Sequence, residues 1–200
     1  AEALGRERRD ASKGLGADVQ ARLRGLGMPS AVFEASVEDA PLGPGGADRV
    51  GFLLGPNPGE EVRPLERIAS GGELSRTLLA LKGALAEADP VSVQVFDEVD
   101  AGVGGDVAEA LGRRLRELSR RRQVLVVTHQ PQIAAHADVH FHVGKRELEG
   151  RTEAVVRRMD AGEREAELAR MLAGDQGATG PSSRARGLAQ ELLRRAAGPT

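Results

Sequence analysis

Cysteine, tryptophan and tyrosine are all missing from this chain of 200 residues. Without cysteine there is no disulfide, no thiolate zinc site and no cysteine nucleophile. Four phenylalanines are the only aromatics, which leaves little from which to build a base-stacking platform for single strands. Lysine is scarce too, standing only at Lys13, Lys82 and Lys145, so arginine carries the positive charge. The net charge of −2 gives no whole-chain basic signal, and any contact with nucleic acid would need a local patch. The opening residues, AEALGRERRD, are charged and unlike a signal peptide. No apolar run approaches the roughly 20 residues that span a bilayer. The expectation is a soluble, cytoplasmic chain with no membrane partner.

What is present is ordinary for a globular protein: 40% apolar and 29% charged residues, enough for one domain or a large part of one. Residues 1 to about 26 read as a polar helix with sparse apolar positions, equally an arm entering a domain or a frayed end. Two strands are expected at 31–37 and 49–54, around the turn-rich Pro41–Gly46, with a loop at 55–64. Leu74, Leu78, Leu81 and Leu85 mark an amphipathic helix over 71–88. Val91–Phe96 reads as a buried strand, and a helix over 106–121 follows, with Asp106 as its cap and Val107, Leu111, Leu115 and Leu118 inward. Gln123–Thr128 is a second buried strand, and Pro131 opens another helix. Strands at 139–143 and 153–159 come next. Helices at 164–172 and 184–197 close the chain, on either side of a flexible Gly174–Ser183 segment. The alternation through the middle predicts an α/β fold with a parallel sheet.

Three local signals carry chemistry. Ser70-Gly71-Gly72-Glu73 opens a helix, where free backbone N–H groups can face an anion; Ser70-x-x-Glu73 is also a plain capping box. Asp97-Glu98 ends an apolar strand, at the sheet edge where open α/β folds bind ligands. One carboxylate there can hold Mg²⁺ and the next can polarise a water, or both can merely cap a turn. His129 follows another apolar strand and can hydrogen-bond a phosphate, although strand-end histidines are often structural.

Taken in order, these signals match the signature motif, Walker B and switch histidine of ATP-binding-cassette proteins. The wording narrows the match: Ile-Ala-Ser-Gly-Gly-Glu-Leu-Ser-Arg at 68–76, Phe-Asp-Glu-Val-Asp-Ala-Gly-Val-Gly-Gly at 96–105, and Val-Thr-His-Gln-Pro-Gln-Ile-Ala-Ala at 127–135. It resembles the RecN family of SMC-like DNA repair ATPases, closely over residues 65–159 and loosely at the two ends. SMC proteins usually carry an aspartate where Gly104 stands, so whatever that carboxylate does in them is done differently here.

The resemblance implies the C-terminal portion of an SMC-type head. Residues 1–27 would be the end of a returning coiled-coil arm, 28–175 the head half, and 176–200 a terminal helical segment. It implies Asp97 for Mg²⁺, Glu98 as the base that activates water, and His129 as sensor of the γ-phosphate. Ser70, Gly71, Gly72 and Glu73 would contact ATP held by an opposing head, and Asp100, Gly102 and Gly104 would form the D-loop linking the two sites. A P-loop, Gly-x-x-x-x-Gly-Lys-Ser/Thr, is absent: Lys13 and Lys82 precede glycine and Lys145 precedes Arg146. The chain is therefore expected to be a fragment that hydrolyses ATP only with an N-terminal Walker A half, and to pair with a second copy through sandwiched ATP. Double-strand-break repair, contact with DNA and a place at the bacterial nucleoid follow from the resemblance alone. Arg120–Arg122, Arg157-Arg158 and Arg194-Arg195 are candidate phosphate contacts, or else solvated surface. A transporter-type nucleotide-binding subunit and a non-catalytic dimerisation domain are the alternatives.

Overall fold

The computed structural model describes residues 1–148, 151–174 and 181–198. The chain divides into two compact units, Ala1–Val127 and Thr128–Thr200.

The first unit starts with helix α1, Glu2–Arg24. Its sparse apolar residues are enough for one buried stripe, with Val19, Leu23 and the following Leu26 inside. That stripe packs on a long hairpin of β1, Val32–Gly43, and β2, Gly46–Gly55. Register runs from Val32 opposite Gly55 to Asp39 opposite Asp48, then slips before Gly43 meets Gly46. Both strands are longer than the apolar alternation predicts. The slip takes Pro41 out of the ladder, where its missing N–H costs no hydrogen bond. Arg8 then pins the tip, donating to Asp48 Oδ2 and Gly45 O at 2.9 Å each. Phe33 stacks on Phe52 with ring centroids 5.9 Å apart. A short β3, Arg63–Pro64, pairs with β2 inside the expected loop, and a 3-10 turn, Leu65–Arg67, follows.

Helix α2, Gly71–Ala84, is shorter than predicted and buries Gly72, Arg76, Thr77, Leu79, Ala80 and Leu81. Leu78 points outward while Leu81 is buried, so the leucine repeat marks the buried face only in part; α1 and the segment after the next strand cover the side that carries Arg76 and Leu79. Parallel strands β4, Val93–Phe96, and β5, Gln123–Val126, pair with Val93 opposite Gln123 and Phe96 opposite Val126. Between them runs α3, Gly105–Ser119, which buries Ala108, Leu111, Leu115 and Leu118. Asp106 does not cap it: the cap position is Gly104, in extended backbone, and Asp106 sits in the first turn, where its charge still suits the helix dipole.

β4 and β5 are buried on one face only. Gln94 and Phe96 face inward, while Val93, Val95, Leu125 and Val127 form an exposed apolar row. The expectation of fully buried strands fails because, among the described residues of this unit, helices pack against one side of the pair.

In the second unit, α4 is a single turn, Pro131–Ala134, with its proline in the first turn as predicted. β6, Phe141–Leu148, and β7, Arg151–Arg158, form an antiparallel hairpin. Helix α5, Ala161–Ala173, begins before the predicted start because Asp160 and Glu163 form a reciprocal capping box. Helix α6, Ser183–Ala197, packs on α5 through small residues, with Ala169, Ala185, Ala189 and Leu168 in the core. Of the expected flexible segment, residues 175–180 lie outside the described residues.

Candidate functional site

The chemistry-bearing residues of the first unit lie where α2 starts and β4 ends. Ser70 caps α2, its hydroxyl accepting from the Glu73 N–H at 3.4 Å. That is the Ser70 half of the expected capping box. Asp97 and Glu98 follow β4 at its carboxyl end and both are exposed. The Glu98 N–H donates to Asp97 Oδ1 at 2.9 Å, which fixes the direction of that carboxylate. Glu98 holds φ of +55°, the one left-handed non-glycine residue among those described. Such backbone costs about 1–3 kcal/mol and survives only where neighbours over-determine it.

The neighbours are α2 and the loop after Glu98. A Cβ at position 71 would collide with Glu98 Oε2, so the glutamate carboxylate lies over the first turn of α2 and Gly71 makes room for it. A Cβ at position 72 would meet Ala101 Cβ at 2.9 Å and Ala101 O at 3.1 Å, so the second glycine lets the loop approach the helix. Ser75 Oγ donates to Asp97 O at 2.9 Å, and Arg76 Nη1 donates to Ala101 O at 2.8 Å and Val99 O at 3.5 Å. Burial lowers the Arg76 pKa from its ordinary value, with the charge of Glu73 acting the other way. Val99 is fully buried and Asp100 is 3% exposed. Ala101 N–H closes a turn on Glu98 O at 3.0 Å, and Gly102 takes φ of +72° to continue it. Of the two glycines expected in the D-loop, Gly102 needs left-handed backbone and Gly104 does not.

The structure thus brings Gly71, Gly72, Asp97, Glu98 and the loop from Asp100 together. His129 belongs to the second unit, where its ring is exposed and its Nε2 lies 3.4 Å from Gln130 Nε2. Sequence reasoning missed the parts played by Ser75 and Arg76. A polar pair one turn into a helix, on the same side as Gly72, was the available signal.

Among the described residues no group of three or more His, Asp or Glu could hold a metal by itself. Mg²⁺ shared with phosphates and water asks the protein for only one or two carboxylates, and Asp97, exposed at a strand end, fits that demand. The candidate DNA contacts are largely engaged elsewhere. Arg122 has a largely covered side chain, pairing with Asp89 at 3.2 Å and donating to Ala86 O and Val91 O. Arg121 meets Glu87, Arg157 meets Glu163, and Arg194 meets Glu191. No helix of the described residues is long and apolar enough to cross a membrane.

The fold is that of part of an SMC head domain. The chain is similar to the Smc head domain with a coiled coil and joint from Pyrococcus yayanosii, at 23% identity and a TM-score of 0.55, over 78% of this chain and 28% of that one. It is also similar to an Smc head bound to the C-winged helix domain of ScpA, at 22% identity and a TM-score of 0.51, over 77% and 45% of the two chains. No family model matches. Among curated proteins the chain is similar to DNA repair protein RecN of Streptomyces coelicolor, 43% identical over 96% of this chain and 35% of that protein. It is 44% identical to RecN of Mycobacterium leprae over 95% and 35%, and 49% identical to RecN of Xylella fastidiosa over 66% and 24%. The chain belongs to the RecN family. It spans about a third of the length of the first two of these relatives.

Proposed function

We propose that this chain is the C-terminal half of an SMC-like ATPase head that works in bacterial double-strand-break repair. The observation that carries the reading is the placement of two exposed carboxylates, Asp97 and Glu98, at the carboxyl edge of a parallel strand pair. Asp97 would hold Mg²⁺, which would supply positive charge to the transferred phosphoryl group. Glu98 takes the proton of the attacking water. Ser70, Gly71 and Gly72, with Glu73 behind them, meet the γ-phosphate of ATP held by a second copy; α2's first-turn N–H groups and dipole favour that anion. His129 serves as a sensor of a γ-phosphate. Asp100, Gly102 and Gly104 link the two sites. Residues 1–27 serve as the root of the arm, 28–175 as the head half and 176–200 as its terminal helical segment.

The P-loop must come from an N-terminal half. The exposed row of Val93, Val95, Leu125 and Val127 supports this, because parallel strands are ordinarily covered on both faces and a contiguous apolar patch marks a contact surface. DNA and the nucleoid are the expected setting, reached through family likeness.

The test is reconstitution. This chain, purified free of contaminating ATPases, should hydrolyse no ATP. Mixed with a RecN-type half that carries the P-loop, it should hydrolyse ATP, and DNA should change the rate. Hydrolysis by the chain alone would overturn the half-site reading.

A further inference from the structure

We infer that Ser75 and Arg76 are positioning residues that couple the signature helix to the Walker B and D-loop segment of the same chain. The inference rests on the reading above of Glu98 as the water-activating base, and it adds how the glutamate is set.

Two successive side chains of α2 reach three alternate carbonyls of one short segment. Ser75 takes Asp97 O, and Arg76 takes Val99 O and Ala101 O. Glu98 sits inside that span, with its left-handed backbone flanked by anchored carbonyls. A buried arginine that donates to carbonyls is common and need mean only stability. Its landing points argue for more here. Arg76 is 7% exposed and reaches across to the loop instead of extending into water. One nitrogen, Nη1, ties two carbonyls of the loop to the helix, Ala101 O at 2.8 Å and Val99 O at 3.5 Å. The loop it grips begins with Val99 and Asp100, both buried. Gly72 lets the loop and the Arg76 head group close on the helix, since a Cβ there would stand 3.1 Å from Arg76 Nη1. A shift of α2, as when its start takes hold of a nucleotide on an opposing head, is therefore carried to the main chain on both sides of Glu98. Losing the link should spare nucleotide capture and slow the chemical step.

The experiment uses the reconstituted head. Arg76→Gln should lower kcat about tenfold or more, since small misplacements of a reacting group cost that much. KM for ATP should stay within about twofold, and ATP-driven dimerisation in a Glu98→Gln background should be unchanged. Arg76→Lys should recover part of the rate. Ser75→Ala removes a single hydroxyl and leaves the packing alone; it should lower kcat about threefold, the order of one hydrogen bond. Unaltered kcat in Arg76→Gln, or dimerisation falling in parallel with hydrolysis, would overturn the coupling. Should Arg76→Gln not fold, Ser75→Ala decides the matter, and an unaltered kcat there overturns it equally. Failure of the underlying reading looks different: the unmutated head would then be inactive, or Glu98→Gln would hydrolyse ATP at the unmutated rate.

Discussion

Replacing Val95 and Val127 with alanine tests whether the open face of β4 and β5 is a junction. The two side chains are 66% and 61% exposed, so most of their apolar surface is still available to a docking half. Each Val→Ala change removes two carbon groups, worth roughly 1.6 kcal/mol when fully buried at about 0.8 kcal/mol per group. Scaled to the surface that remains open, each change weakens docking by about 1 kcal/mol. The pair together costs about 2 kcal/mol, with some coupling because they share the face. That corresponds to a roughly thirtyfold rise in Kd. Calorimetric titration of the chain against the P-loop half reads it directly, and urea unfolding of the isolated chain provides the control. An unchanged Kd would refute the junction. So would a stability loss in the isolated chain as large as the loss in docking, because the valines would then belong to this chain's own core.

Gly71→Ala should lower ATP hydrolysis of the reconstituted head by about tenfold to a hundredfold, because the new methyl must displace the Glu98 carboxylate; a wild-type rate would separate Glu98 from the helix start. Asp89 sits among Lys82, Gln94 and Arg122, and its carboxyl is held below the usual range by the Lys82 hydrogen bond and then by the Val91 N–H. A depressed pKa contributes stability above the unfolded value of about 3.9, and that contribution is lost as pH falls through the folded value. Asp89→Asn should therefore be less stable at pH 7 and show a flatter loss of stability on acidification below about pH 4. Parallel urea-unfolding curves for the two proteins across that range would contradict the assignment.

Much of the site was legible because its residues stand at the ends of elements. Asp97-Glu98 after an apolar run and Ser70-Gly71-Gly72 before a leucine-rich helix locate a strand end and a helix start without any tertiary knowledge. The parallel pairing of β4 and β5 follows from the strand–helix–strand order in the same way. Spacing could not give the one-sided burial of those strands, since a run such as Val-Gln-Val-Phe reads alike whether one face or two are covered. The outward turn of Leu78 and the inward turn of Arg76 were hidden for a related reason: α2 is covered by α1 and by the loop after Glu98, and neither is near in sequence. Asp106 looked like a cap because its residue type suits one, yet the extended backbone at Gly104 starts α3 two residues earlier. The Asp160–Glu163 box was readable as Asp-x-x-Glu and sets a start that apolar periodicity alone places too late. Left-handed Glu98 had no signal at all, because its backbone is set by contacts from α2.

The most direct measurement is the behaviour of Glu98→Gln in the reconstituted head. The substitution keeps the side chain's size and removes the base. Light scattering in ATP should then report dimers that persist, alongside hydrolysis reduced by about a hundredfold or more. Full hydrolysis with transient dimers, or no dimers under any nucleotide, would contradict the account.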